Sequence, residues 1–182
     1  VLLALCGLAW CPASAQTAAP EPTLREALQN HGKLGTARLR YWGFDVYDAS
    51  LWALPGFDVT RFENQRFGLE LAYLRDFKGA DIAERSIDEM KDLATIEPAQ
   101  ATRWTQAMSS LFPDVKRGDR ITGVHVPGSG ARFYLNGRLL GEVADDAFSR
   151  QFFGIWLSPR TSQPRMRETL LQSVAGVSPR NP

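Results

Sequence analysis

Polar side chains that could bind an anion recur on three otherwise apolar stretches of this sequence. They are Arg38, Arg40 and Trp42 in the first stretch, Tyr73 and Arg75 in the second, and Arg132 and Tyr134 in the third. A guanidinium binds carboxylates and phenolates through paired hydrogen bonds, and an arginine among aromatic side chains is costly to bury without such an anion. The set therefore predicts a site for an acidic group, unless these arginines lie on the solvent face of a sheet.

Other kinds of chemistry have little support in the sequence. His31 and His125 are too few to form a usual zinc site, and a single histidine on a strand is most often structural. Cys6 and Cys11 lie in the first eleven residues, so we expect no cysteine chemistry in the folded body. Walker, GxSxG and GxGxxG sequences are absent. We expect neither a metal nor a cofactor.

The strands that would position the polar set follow from composition and alternation. Residues 39–54 are aromatic and β-favouring, which predicts one long or bent strand, or a hairpin around Gly43. Residues 66–77 alternate in polarity, which predicts a second strand. One face of that strand would carry Leu69, Leu71, Tyr73 and Arg75. Residues 120–143 predict a three-stranded antiparallel meander, with turns at residues 128–130 and at Asn136 and Gly137.

Helical periodicity occupies the stretches between and after these strands. The first predicted helix has one apolar face, made of Ala83, Ile87, Met90 and Ala94. Pro98 suits the first turn of a second helix, and Asp145 can cap a third. Pro159 separates that helix from a last one, which carries Met166, Leu170 and Val174. This order of elements predicts an α+β fold in which helices cover an antiparallel sheet.

Length and composition describe one globular domain. The chain has 182 residues, 44% of them hydrophobic and 10% aromatic. It is too apolar to be disordered and too short for two full-sized domains. The net charge is +1, from 21 Lys and Arg against 20 Asp and Glu. This balance gives no broad electrostatic reason to expect nucleic acid or an anionic membrane as a partner.

The beginning of the chain predicts an export signal. Residues 1–15 combine an apolar run with a small-residue Ala-Ser-Ala site, and we expect a signal peptide that is truncated at its start. We therefore expect a periplasmic or secreted protein without a transmembrane segment in the mature chain. Residues 16–33 would be a flexible lead-in, 34–175 the folded domain and 176–182 a loose tail.

Four segments together resemble the chalcone isomerase-like proteins of bacterial envelopes. In chain order they are RYWGFDVYDASLW, LAYLRDFKGADIAERSIDEM, FPDVKRGDRITGVHVPGSGARFYLNGRLLGEV and FSRQFFGIWLSPRTS. The resemblance covers roughly residues 34–172. It implies an open-faced β-sandwich, in which a large antiparallel sheet is covered by a layer of helices with an apolar cleft between the two layers. These motifs specify a fold more than an activity.

The superfamily contains two kinds of function. Plant chalcone isomerases close a chalcone to a flavanone and use an arginine, a threonine, a tyrosine and an asparagine or serine. In this chain the corresponding positions are near Asn30, at Trp42, near Gly79 and near Ser86, so only Ser86 keeps a matching residue type. Related proteins bind a fatty acid, whose carboxylate is held by an arginine and a tyrosine. Their strand motif, an aromatic residue followed two residues later by arginine, matches Tyr73 and Arg75.

The resemblance leads to one main hypothesis and two alternatives. The protein would be a non-catalytic binding protein that holds a small amphipathic acid such as a fatty acid. Arg75 would bind the acid, helped by Arg40 and by a tyrosine, while the apolar tail would lie against Trp42. The candidate tyrosines are Tyr73, Tyr134 and Tyr47. The alternatives are an isomerase acting on a chalcone-like enone, with Arg40 or Arg75 stabilising an oxyanion near Ser86, and an envelope accessory protein without a small ligand.

Overall fold

The centre of the fold is one six-stranded antiparallel sheet. The structure is a computed structural model, and it describes residues 23–172. Neighbouring strands in the sheet are also neighbours along the chain. The strands are β1 (Gly32–Tyr41), β2 (Phe44–Ala53), β3 (Phe67–Tyr73), β4 (Arg120–Val126), β5 (Gly130–Leu135) and β6 (Arg138–Val143). This arrangement confirms the predicted α+β class with a large antiparallel sheet.

Helices pack on both faces of this sheet, but unequally. Within residues 23–172 they are α1 (Leu24–Ala27), α2 (Gly79–Leu93), α3 (Pro98–Leu111), α4 (Asp146–Leu157) and α5 (Pro164–Leu170), with a 3₁₀ segment at Val59–Asn64. Helices α2 to α5 share one large apolar core with the sheet, whereas α1 packs on a small cluster on the other face. None of these helices is both long and apolar enough to cross a membrane.

Aromatic rings of α4 fill the main core. Phe148 and Phe152 of α4 meet Phe133 of β5, and Phe153 meets Phe67 of β3 with ring centroids 4.9 Å apart. The rings meet mostly edge to face, an arrangement that aromatic pairs favour. Asp145 begins α4, as predicted, because its carboxylate accepts a hydrogen bond from the Phe148 amide at 3.0 Å.

Two tight hairpins connect neighbouring strands of the sheet. Residues 39–54 form the hairpin and not a single strand, and Trp42 and Gly43 are the two turn residues between β1 and β2. Asn136 and Gly137 connect β5 to β6, and both have positive φ, as a type I′ turn requires. The predicted three-stranded meander is confirmed.

Part of the predicted flexible lead-in has regular structure. Thr23 and Glu26 form a capping box that starts α1, and β1 begins at Gly32. Ala27 of α1 is buried against Val124 and Tyr134, which explains why this segment is held on the sheet. The expected signal peptide, the tail at 176–182 and Val174 lie outside the described residues.

Candidate ligand-binding site

A cavity of about 560 Å³ opens between the sheet and the helices at the β1–β2 hairpin end. Strands β1 to β3 form its floor, α2 and α5 form its sides, and the end of α4 closes it. Most of its lining is apolar: Leu39, Tyr41, Trp42, Phe44, Val46, Tyr47, Leu71, Tyr73, Phe77, Ile82, Ile155, Trp156, Met166 and Leu170. A cavity of this size and composition suits an apolar ligand with a polar end.

A row of three residues across neighbouring strands makes the floor. Leu39 of β1 pairs with Tyr47 of β2, which in turn pairs with Tyr73 of β3. Residues in register across a sheet point to the same face, so these three side chains line the cavity together. The Tyr47 and Tyr73 rings meet edge to face at 6.1 Å.

A β-bulge decides which hairpin residues reach the cavity. The register shifts between Leu39, which pairs with Tyr47, and Arg40, which pairs with Asp45. The extra residue in β2, Val46, changes the alternation, so that Phe44 lies on the cavity side while Asp45 lies on the opposite side. Simple alternation along β2 would have predicted the reverse.

The two floor tyrosines are neutral phenols. Burial raises the pKa of Tyr47 and of Tyr73 well above the ordinary tyrosine value. Trp156 donates a hydrogen bond from Nε1 to the Tyr47 hydroxyl at 3.0 Å. Among residues 23–172, no group hydrogen-bonds the Tyr73 hydroxyl. Tyr73 can therefore offer an O–H donor to a ligand in the cavity.

Arg75 lies at the edge of the cavity. Strand β3 ends at Tyr73, so Arg75 is exposed just beyond the strand and does not lie within it. Its guanidinium carbon is 4.7 Å from the ring centroid of Phe44, which is a cation–π contact. Within the described part of the chain, no carboxylate forms an ion pair with Arg75. Its hydrogen-bond donors can therefore bind an anion at the cavity entrance.

Further charged residues on the cavity wall have protein partners. Arg85 forms an ion pair with Glu89, and Glu89 also accepts a hydrogen bond from the Ser162 hydroxyl at 2.7 Å. Arg167 of α5 donates from Nε to the Leu157 carbonyl at 2.7 Å. The sequence analysis missed these residues because only the apolar stripes of α2 and α5 were distinctive there.

The structure brings together five of the seven predicted site residues. Arg75, Trp42, Tyr73, Tyr47 and Ser86 line the cavity. Ser86 is nearly buried, and its hydroxyl donates to the Ile82 carbonyl at 2.8 Å within α2. Its hydrogen-bonding capacity is thus partly used by its own helix.

Arg40 and Tyr134 lie elsewhere, which corrects their assignment to this site. Arg40 is on the opposite face of the hairpin, where its Nε is 2.7 Å from Asp45. Tyr134 is fully buried on the face covered by α1, next to Ala27 and Val124. Alternation identified two faces of the sheet but did not identify which face the large helical layer covers.

The positions that match the isomerase arginine and tyrosine do not contribute to the cavity. Asn30 is in the turn before β1, with a φ of 64°, and is not among the lining residues. At Gly79, a Cβ atom would lie 1.9 Å from the Phe112 carbonyl oxygen, so a tyrosine cannot occupy this backbone position. Within residues 23–172, no three potential metal ligands cluster together.

Comparisons with known proteins agree with this architecture. A family model described as chalcone isomerase-like matches residues 27–172. A protein of Haemophilus influenzae is 29% identical over 139 residues, and the match spans 76% of this chain but 66% of the relative. The crystal structure of a fatty-acid binding protein of Arabidopsis thaliana superposes with a TM-score of 0.63 over 81% of this chain and 90% of the other, at 14% identity. The chain therefore belongs to the chalcone isomerase-like family.

Proposed function

We propose that this protein binds a small amphipathic acid, such as a fatty acid, in the cavity between the sheet and the helices. One observation carries the proposal: an apolar cavity of about 560 Å³ has Arg75 at its edge, and this arginine has no carboxylate partner in the described residues. The acid would bind the guanidinium, and the hydrocarbon part would lie on the apolar floor. The Arabidopsis protein of similar fold is named for fatty-acid binding, which supports the same ligand class.

The polar end of the ligand would have two donors. Arg75 supplies the charge, and the neutral hydroxyl of Tyr73 supplies an O–H group from the floor. A neutral phenol donates to a carboxylate without electrostatic repulsion, whereas a phenolate would repel it. Tyr73 is a neutral phenol at physiological pH and can therefore donate its O–H group to an anionic ligand.

The protein would act without catalysis and in the periplasm or outside the cell. The positions that match the isomerase arginine and tyrosine, Asn30 and Gly79, are not part of the cavity lining, so they offer no oxyanion clamp there. The apolar run and the Ala-Ser-Ala site of residues 1–15 support export. The open cavity favours a small ligand over an accessory role in which the protein's own side chains fill the cleft.

The test is palmitate binding to the purified full chain, measured by displacement of a fluorescent fatty acid. A hydrogen bond to a charged group contributes about 1.5–3 kcal/mol, and Arg75 is exposed, so we expect Arg75→Gln to weaken binding about tenfold. Arg120→Gln is the matched control, because Arg120 forms an exposed ion pair with Glu70 on the opposite face of the sheet. Its affinity should stay within about twofold of the wild type.

Two results would contradict the proposal. Equal affinities in the wild type and the Arg75→Gln variant would show that the guanidinium does not hold the acid. No uptake of palmitate or of any other amphipathic acid would exclude the function itself, and rapid flavanone formation from a chalcone would replace it with isomerase activity.

A further inference from the structure

The tip of the β1–β2 hairpin, residues 41–44, is an exposed aromatic surface. Trp42 is 84% exposed, Phe44 59% and Tyr41 55%. Within residues 23–172, the other exposed large hydrophobic side chain is Leu54, at 43%. Three aromatic side chains in four residues are therefore largely in water, although Phe44 contacts the Arg75 guanidinium and the Tyr41 and Trp42 rings contact each other.

The turn itself is a poor position for tryptophan. Trp42 has a φ of 50° and Gly43 a φ of 79°, which closely match the values of 51° and 85° at Asn136 and Gly137. In such turns the first position favours asparagine or glycine, and a bulky residue with positive φ is strained. The same protein uses Asn-Gly in the second hairpin, so folding alone does not explain the tryptophan in the first.

The chemistry of the tip fits the surface of a phospholipid bilayer. Tryptophan and tyrosine favour the membrane–water interface, where their rings are apolar and their N–H and O–H groups remain hydrated. Arg38 and Arg40 of the hairpin are paired with Asp45 and Asp48 on the face opposite the cavity. Arg75, which contacts Phe44 of the tip, has no carboxylate partner in the described residues, so its guanidinium is available to a lipid phosphate.

We propose that the hairpin tip inserts into the bilayer interface and connects the bilayer to the cavity. Tyr41, Trp42 and Phe44 belong both to the exposed tip and to the cavity lining. An amphipathic acid can therefore move between the bilayer and the cavity along these rings without exposing its tail to water. This route rests on the proposed function, whereas insertion of the tip does not.

The test is flotation of the full chain with vesicles of phosphatidylethanolamine and phosphatidylglycerol, without added acid. Trp42→Asn creates the favoured Asn-Gly turn, so the variant should fold with an unchanged or higher melting temperature. We expect its partition to vesicles to fall about tenfold. Leu54→Asn is the matched control: it removes an exposed apolar side chain at the other end of β2, and its partition should stay at the wild-type level.

A second readout locates Trp42 directly and is independent of any contribution from residues 1–22. Brominated lipids should quench a fluorescence component that is present in the wild type and missing in Trp42→Phe. Equal partition of Trp42→Asn and the wild type, together with no Trp42-specific quenching, would overturn the proposal. Palmitate affinity is measured separately on vesicle-free protein, so loss of membrane insertion and loss of acid binding are distinguished.

Discussion

At the residue scale, His125 shows how a polar side chain is accommodated in the aromatic core. The Glu63 carbonyl can only accept, so His125 Nε2 carries the proton of the 2.9 Å bond between them. Nδ1 is then the acceptor for the Ser149 hydroxyl at 2.6 Å. His125 is completely buried, and burial lowers its pKa. Both ring nitrogens are used by the protein, so this histidine supports the fold and is not part of the cavity.

We expect this histidine to make the stability of the protein depend on pH. In the unfolded chain its pKa is about 6.5, whereas the folded state holds it lower, so unfolding takes up a proton below that pH. The contribution of His125 to the free energy of unfolding should be constant above about pH 7 and should fall as the pH drops below about 6.5. Urea denaturation across this range measures it. His125→Gln should be less stable and should lose this pH dependence, and a variant with the wild-type slope would refute the assignment.

At the element scale, the start of α2 positions one wall of the cavity. The Gly79 amide donates to Asp114 at 3.1 Å, and Lys78 forms an ion pair with the same carboxylate at 2.7 Å. Gly79 also lies directly against the Phe112 carbonyl, where a Cβ atom would be only 1.9 Å away. This close approach fixes α2 against the end of α3. It therefore also fixes Ile82 and Ser86, which lie one and two turns further along the cavity wall.

Replacement of this glycine tests that packing. Gly79→Ala must displace backbone, so we expect a loss of about 1–3 kcal/mol in the free energy of unfolding and weaker palmitate binding. Gly32→Ala is the matched control, because nothing lies within 4 Å of its Cβ position, and it should change stability by less than about 0.5 kcal/mol. Urea denaturation of both variants gives the comparison. Equal stabilities would mean that α2 can shift at no cost.

At the scale of the whole molecule, the cavity lies between the sheet and the layer of helices that packs on it. Its floor belongs to three strands and its walls to three helices, so a bound ligand contacts most of the elements at this end of the fold. A ligand that binds the folded state alone stabilises it by mass action. Stability is therefore a readout of binding that does not require a labelled ligand.

Palmitate should raise the melting temperature of the protein. At about one hundred times its dissociation constant, a ligand contributes about 2.7 kcal/mol. In a domain of this size this corresponds to an increase of about 5–10 °C, measured by calorimetry. At the same palmitate concentration, Arg75→Gln should show a smaller increase. An increase of equal size in both proteins would indicate that the hydrocarbon tail alone accounts for binding.

The local structure can be predicted from the amino-acid sequence alone. Asparagine and glycine adopt positive φ readily, so Asn136 and Gly137 predict the turn between β5 and β6. Aspartate is favoured at the N-cap, so Asp145 predicts the start of α4. These preferences act over a few residues, so they can be predicted without knowledge of the fold. The resemblance to the chalcone isomerase-like family rests on motifs along most of the chain. It predicted the large sheet and the layer of helices that covers it.

Which side chains form the cavity depends instead on the packing of the whole fold. The bulge at Leu39 and Arg40 moves Phe44 to the cavity side and leaves Arg40 on the other face. Tyr134 is buried under α1, and Arg167 reaches the cavity from α5, which follows β3 by about ninety residues in the sequence. The physical reason is that alternation has a period of two and defines two equivalent faces. Long-range packing then selects the covered face, and a single inserted residue changes the alternation.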